Sequence, residues 1–395
     1  MPGTPGRSVS GRLPDFPWDT LAPQADVARA HSDGVVDLSV GTPVDPTPEV
    51  VRAALAAASD APGYPFTHGT SQLREAVAAW FARRRGVPGL DPAAVLPTIG
   101  SKEMVAWLPT LLGLRHGDVV VHPEVAYPTY DVGARLAGAT PVASDGLTAL
   151  GPQPVRLVWL NSPSNPTGRV LPVAHLRKVV EWARERGAVV ASDECYAELG
   201  WDDAAPPVSL LHPEVCGGSH ENLLVLYSLS KQSNLAGYRA AFAAGDPALV
   251  REVLEVRKHA GMMVPARVQA AMVAALGDDA HVAEQKKRYA LRRAALVEAF
   301  TGANFRVEQS QAGLYLWVTR DEECWDTVAH LASLGILVAP GAFYGAAGAR
   351  HVRVALTATD ERVAAAAARL TAVAGDAPRS RRQPAVVTLR IVAVA

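Results

Sequence analysis

Short apolar runs alternating with stretches of helical periodicity constrain this 395-residue chain more than any other feature. "VRLVWLNSP" is apolar and rich in β-branched residues, as a strand buried on both faces requires. "AVVASDE" and "NLLVLYSLS" read the same way, while "AAVLPTIG" and "DVVVHP" are shorter examples. Between them lie "SKEMVAWLPTLLGL" and "LPVAHLRKVVEWARERG", the second with a proline near its start and a glycine just past its end. Strands alternating with helices predict a mostly parallel sheet covered by helices on both faces. After about residue 265 the pattern changes to long helices, then to the shorter strands of "FRVEQSQAGLYLWV" and "ARHVRVALT", which suit a smaller α+β unit. The end, "GDAPRSRRQPAVVTLRIVAVA", reads as a linker or tail whose last eleven residues have strand composition.

With 49% hydrophobic and 19% charged residues, the chain can bury a sizeable core. A net charge of -1 argues against nucleic acid or an anionic membrane as the main partner. Cys195, Cys216 and Cys324 are too few and too scattered for a disulfide framework or a zinc ribbon, and the eleven histidines show no ligand spacing, so no metal is expected. The opening "MPGTPGRSVSGRLPDF" lacks the apolar core of a secretory signal, and no apolar run is long enough to span a bilayer. The expectation is a soluble protein of the reducing cytoplasm.

Polar residues of chemical interest collect where the apolar runs end. Gly100 follows "VLPTI", Asn165 follows "LVWLNSPS", Asp193 closes "AVVASD" and Ser228 closes "LLVLYS". In open parallel sheets ligands bind beyond the carboxyl ends of the strands, so these loops are expected to converge on one crevice. A glycine turn opening a helix, "IGSKE", offers backbone N–H groups and a helix dipole to an anion. Ser228 adds a hydroxyl, and Arg239 a forked donor pair suited to phosphate. Lys231 lies between them, so the anion is that of a nucleotide or of pyridoxal phosphate, whose aldehyde bonds to lysine. A Walker motif is missing and so is a G-x-G-x-x-G after a strand, whereas Asp193 is available for a pyridinium nitrogen. Singly, each residue has an ordinary explanation: a solvated lysine, a helix cap at Asp193, a turn at "NPTG", packing tyrosines. Together, at the ends of alternating strands, they do not.

"NSPSNPTG", "SDECYAEL" and "SLSKQSNLAGYRAAF", in this order, resemble the fold-type I, class I aminotransferases over about residues 12 to 375. The resemblance implies a large domain (46–264) with a mostly parallel seven-stranded sheet flanked by helices. It also implies a smaller α+β domain (265–375) joined by the N-terminal segment (1–45), with 376–395 as a tail. Lys231 is implied as the Schiff-base lysine and proton shuttle, Asp193 as the carboxylate on the ring nitrogen, and Asn165 and Tyr196 as donors to the cofactor's phenolic oxygen. Tyr127 matches the aromatic stacked on the ring. Ser101, Lys102, Ser228 and Arg239 match the phosphate cradle, and Tyr64 the tyrosine that reaches the phosphate of a neighbouring subunit, implying a homodimer with shared sites. Arg353 matches the arginine that grips the substrate carboxylate, and Gly41 the backbone on the substrate side. Trp107, Trp182 and Trp317 are assigned to the core.

A closer resemblance, carried by "RLPDFPWDTLAP", "VDLSVGTPVDP", "IGSKEMVAWLPTLLGL" and "AYPTYDVGARLAGA", is to actinobacterial N-succinyldiaminopimelate aminotransferases. It implies transfer of the amino group of N-succinyl-LL-2,6-diaminopimelate to 2-oxoglutarate in lysine and diaminopimelate biosynthesis. A transaminase for another amino acid and a C–S β-lyase are the alternatives within the fold. A regulatory module would need a DNA-binding domain, for which residues 1–34 are too few. Lys102 and Arg267 are candidates for the distal carboxylates, Arg267 more plainly as a solvated helix residue, and "LPDFPWD" for a cover over the cleft.

Overall fold

The computed structural model describes residues 9–376. Its first eight strands are β1 (Val36–Asp37), β2 (Val95–Ile99), β3 (Val119–His122), β4 (Thr140–Ala143), β5 (Val155–Asn161), β6 (Val189–Asp193), β7 (Leu223–Ser228) and β8 (Ala240–Gly245). Five more follow: β9 (Arg306–Glu308), β10 (Tyr315–Thr319), β11 (Ile336–Leu337), β12 (Ala339–Pro340) and β13 (Val352–Ala355). Seven strands form the central sheet in the order β2-β8-β7-β6-β5-β3-β4, parallel except for β8. Pro97 and Pro141 fall on β2 and β4, the two edges, where a residue that donates no ladder bond is tolerated.

Side-chain alternation along the buried strands explains the two helical layers. On β7, Leu223, Val225 and Tyr227 join one core with the helices Ser71–Arg85, Val173–Arg184 and Ala266–Gly277. Leu224 and Leu226 face the other way, into a core with Ser101–Leu111, Thr129–Ala137 and Pro247–Ala260. A third core surrounds the antiparallel sheet β12-β13-β10-β9, gathering Leu21, Ala28, Val36 and Leu38 with residues of the helices Asp279–Gly302 and Asp360–Asp376. The candidate tail strand "AVVTLRIVAVA" lies outside the described residues. Among those described, no helix is long and apolar enough to cross a membrane.

Trp317 is buried, but Trp182 is only partly so, with the Arg186 guanidinium 4.4 Å above its ring. Trp107 departs from its core assignment. It is 39% exposed, because the buried face of its helix is taken by Met104, Val105, Leu108 and Leu111.

Candidate active site

The parallel strands β2, β5, β6 and β7 all end at one edge of the sheet. Arg239 reaches the same edge for the opposite reason, since it precedes β8, the strand that runs antiparallel. A cavity of about 780 Å³ opens there, and Gly41, Ser101, Lys102, Tyr127, Asn165, Asp193, Tyr196, Ser228, Lys231, Arg239 and Arg353 all line it. Tyr64 does not; it is 96% exposed on its own chain. Arg267 lines a separate hollow beside Gly63 and Pro65, away from this cavity.

Local chemistry sets each group. Gly100 has φ +76° and ψ 152°, a conformation reserved for glycine, and it starts the helix Ser101–Leu111 without a side-chain cap. The first-turn N–H groups are therefore free for an anion. A Cβ on Gly100 would stand 2.0 Å from Arg239 Nη2, so only glycine lets the guanidinium lie across this turn. Arg239 is itself left-handed at φ 57°, and its carbonyl accepts from Gly100 N at 2.8 Å. Ser228 caps the short turn holding Lys231, and its hydroxyl donates to Ser230 Oγ at 2.8 Å. The Lys231 amine donates to the Gly41 carbonyl, which brings the N-terminal segment across the site.

Asp193 is the buried carboxylate. Tyr130 donates to its Oδ2 at 3.0 Å and the Cys195 N–H to its Oδ1 at 3.2 Å. Burial raises its pKa above the ordinary carboxylate value, against the pull of the Cys195 and Tyr130 hydrogen bonds and of the Lys231 charge. A cation placed beside it would restore the ionised form. Asn161 holds the adjoining loop, donating to the carbonyls of Pro163 and Asp193 and accepting from Asn165 N at 2.7 Å.

Arg353 enters from β13, 3% exposed, donating to Asn165 Oδ1 at 3.0 Å and to the Ser39 carbonyl at 2.6 Å. Its Nε has no partner among the described residues, and aromatic rings of Tyr315, Tyr344 and Trp18 surround it at 4.0, 5.0 and 6.0 Å. Trp18 and Phe16 belong to the segment Leu13–Trp18, which forms one wall of the cavity. Lys102 Nζ lies 5.6 Å from the Phe16 ring, and burial with the nearby Arg239 charge lowers its pKa. Phe16 and Trp18, 5.6 Å apart, thus link the two cations along that wall.

Sequence reasoning missed Tyr130, Cys195 and Tyr315. Tyr130 lies in the helix Thr129–Ala137 just after Tyr127, and the two rings meet edge-on at 5.9 Å, so the paired tyrosines of "AYPTY" were its signal. Cys195 stands between two assigned residues, and its thiol donates to Ser101 Oγ at 3.3 Å. Tyr315 sits in an apolar strand pattern that carries no polar signal at all.

A family model described as aminotransferase class I and II matches residues 33–370. A probable aminotransferase of Mycobacterium tuberculosis is 67% identical over 363 residues, 92% of this chain and 86% of that one. The 4-dedimethylamino-4-oxo-anhydrotetracycline transaminase OxyQ of Streptomyces rimosus is 63% identical over 359 residues, 91% of this chain and 99% of its own. Among solved structures, a probable N-succinyldiaminopimelate aminotransferase from Thermus thermophilus superposes with a TM-score of 0.80 at 30% identity, over 91% of this chain and 100% of that one. With the family model spanning most of its length, this chain belongs to the class I and II aminotransferases, a family that uses pyridoxal phosphate.

Proposed function

We propose that the protein transfers the amino group of N-succinyl-LL-2,6-diaminopimelate to 2-oxoglutarate. The observation that carries this reading is the single cavity in which Lys231 is accompanied by Arg353 and by Lys102, joined along one wall by Phe16 and Trp18. A long amino acid with a carboxylate at each end needs such a pair of cations. The likeness to the Thermus thermophilus structure supports the same substrate.

The residues present fit the family's cofactor. The uncapped helix start at Ser101 and Lys102, the Ser228 hydroxyl and Arg239 would hold its phosphate. Asp193, buried and hydrogen-bonded by Tyr130, would take the protonated ring nitrogen, with Tyr127 against the ring and Asn165 and Tyr196 at the phenolic oxygen. Pyridoxal phosphate, when bound, draws electrons from the substrate α-carbon and carries the amino group between the two substrates. Lys231 would bind its aldehyde and later move the α-proton, while Gly41 lines the substrate side. Arg353 would grip the α-carboxylate through donors now shared with Asn165 and Ser39.

The same proposal takes the chain as a homodimer, with Tyr64 serving the neighbour's phosphate, and as a cytoplasmic enzyme of diaminopimelate and lysine biosynthesis. It divides the chain at residues 45, 264 and 375.

A panel of amino donors with 2-oxoglutarate tests the substrate. N-succinyl-LL-diaminopimelate should give the highest kcat/KM, and another donor exceeding it tenfold would overturn the assignment. Lys102→Met should raise KM for that donor about tenfold, the scale of a lost charge-assisted hydrogen bond; unchanged KM for both substrates would remove Lys102 from the reading. The apolar wall of Leu13, Phe16, Trp18, Ala106 and Val132 favours a second reading, an acceptor with a broad apolar body. A 4-oxo-anhydrotetracycline, of the kind the Streptomyces rimosus relative is named for, belongs in the same panel.

A further inference from the structure

The Asp193 carboxylate is held by a side chain that does not itself line the cavity. On β6, Asp193 and Ala191 point to the same face of the sheet, and Trp159 of β5 pairs beside Ala191. Tyr130, 0% exposed in the first turn of the helix Thr129–Ala137, lies stacked on Trp159 at 5.0 Å and 25°. That stacking delivers its hydroxyl to Asp193 Oδ2, to which it donates at 3.0 Å. The same ring meets Tyr127 edge-on at 5.9 Å. One buried phenol thus fixes both a carboxylate and an aromatic ring that line the cavity.

The other backbone donor to Asp193 is of a different kind. The Cys195 N–H meets Oδ1 at 3.2 Å from two residues along the chain, a contact the turn itself provides. Tyr130 arrives from another element, 63 residues away in sequence. Its own proton stays in place, because burial and the Asp193 charge raise the phenol well above its ordinary value. Burial raises the Asp193 carboxyl as well, while Cys195, Tyr130 and the Lys231 charge pull it back. The Tyr130 bond does not depend on the state of Lys231.

We infer that Tyr130 is a positioning residue of this aminotransferase: it aims the Asp193 carboxylate at the cofactor's ring nitrogen and keeps their shared proton on that nitrogen. A hydrogen bond to the charged form of a carboxylate weakens its hold on a proton. One proton lies between Asp193 and a pyridine nitrogen, and a donor on Oδ2 moves it towards the nitrogen. Without that donor the proton returns to the carboxylate, and the ring loses the positive charge that makes it an electron sink. No bond to carbon changes, and nothing is oxidised or reduced. The inference rests on Asp193 serving the ring nitrogen and is indifferent to which amino donor is used.

Tyr130→Phe removes the hydroxyl and keeps the ring on Trp159. Enzyme loaded with pyridoxal phosphate carrying nitrogen-15 in its ring reports the proton directly by NMR. The wild type should give the signal of a protonated ring nitrogen, and Tyr130→Phe should shift it towards that of the neutral ring. The cofactor-free variant should bind pyridoxal phosphate about tenfold more weakly, the scale of one hydrogen bond to a charged group. A benzene analogue of the cofactor, with carbon in place of the ring nitrogen, should bind wild type and variant equally, which a merely loosened site would not allow. For the amino donor, kcat should fall about tenfold with KM little changed, since Arg353 is untouched. Fluorotyrosine at position 130, a stronger donor of the same shape, should move the nitrogen signal the opposite way, a readout that covers poor folding of Tyr130→Phe. Asp193→Asn should move the signal to that of the neutral ring and abolish any further effect of Tyr130→Phe. A signal moved by Asp193→Asn but not by Tyr130→Phe, or equal losses of affinity for the cofactor and its benzene analogue, would overturn the role of Tyr130. A signal unmoved by Asp193→Asn would instead overturn the placement of Asp193, and this inference with it.

Discussion

Arg353 makes two hydrogen bonds within its own chain and lies among three aromatic rings. That setting keeps the guanidinium charged and oriented before a carboxylate arrives, so little ordering remains to be done on binding. Arginine is needed because a planar fork can meet a carboxylate with two parallel bonds, whereas a lysine offers a point charge. Arg353→Lys should accordingly raise KM for both amino donor and 2-oxo acid by about 10–100-fold, equivalent to about 1.5–3 kcal/mol. The change in kcat should be smaller, and steady-state kinetics on both substrates measures the split. Residues of this kind were readable from the sequence because their chemistry is unusual at the end of an apolar run. Tyr315 was not, because a tyrosine between Leu314 and Leu316 reads as packing until its hydroxyl is seen against Tyr196.

The element that most depends on one residue is the helix Ser101–Leu111. Gly100 launches it at a backbone conformation other residues avoid, and Arg239 fills the space a side chain would occupy. Its first turn is fastened from behind, where Glu103 pairs with buried Arg257 at 2.6 Å and accepts from Ile99 N at 3.2 Å. Gly100→Ala should cost about 1–3 kcal/mol through backbone strain and push Arg239 aside. The expected outcome is weakened retention of pyridoxal phosphate, read by titrating the cofactor-free variant, with a modest fall in Tm. Most strands that position the site were legible because β-branched runs such as "VRLVWLN" suit burial on two faces. The strand β8 was not: "AAFAAG" has little strand preference, and it is held between β2 and β7 by ladder bonds and small side chains where two helical layers press close.

Across the whole molecule, the turn bearing Lys231 is tied to the long helix Asp279–Gly302. Asn234 donates to Gln285 Oε1 at 2.9 Å, and Gln285 donates to Asp45 Oδ2 at 2.7 Å. Arg292 clasps both oxygens of Asp45 at 2.7 and 2.6 Å. Ser233, His281 and Asp278 form a second tie, at 2.8 and 3.2 Å, with the residue types of a hydrolytic triad. Ser233 is fully buried, which makes it a fastening and not a nucleophile. Burial raises the Asp45 carboxyl, but the bonds from Arg292 and Gln285 prevail and hold it below the ordinary carboxylate range. A group depressed in the folded state stabilises fully above its unfolded value of about 4 and loses that contribution as pH falls through the folded value. Asp45→Asn should therefore lower stability at neutral pH by about 3 kcal/mol and flatten the acid limb of the stability curve, as denaturant melts at several pH values would record. At the scale of the assembly, the chain should run as a dimer in light scattering. Tyr64→Phe should weaken cofactor retention without changing Tm, since its side chain packs on nothing in its own subunit.

The linear chain settled the period of each segment, the strand ends at which reactive groups emerge, and the lysine, carboxylate and guanidinium suited to one cofactor, because those follow from local propensity and side-chain chemistry. Tertiary structure alone decided that Gly41 crosses to Lys231, that Leu13–Trp18 walls the cavity, and that Tyr315 meets both Tyr196 and Arg353. Those contacts join residues far apart in sequence, and their geometry depends on how the sheets and the long helix pack.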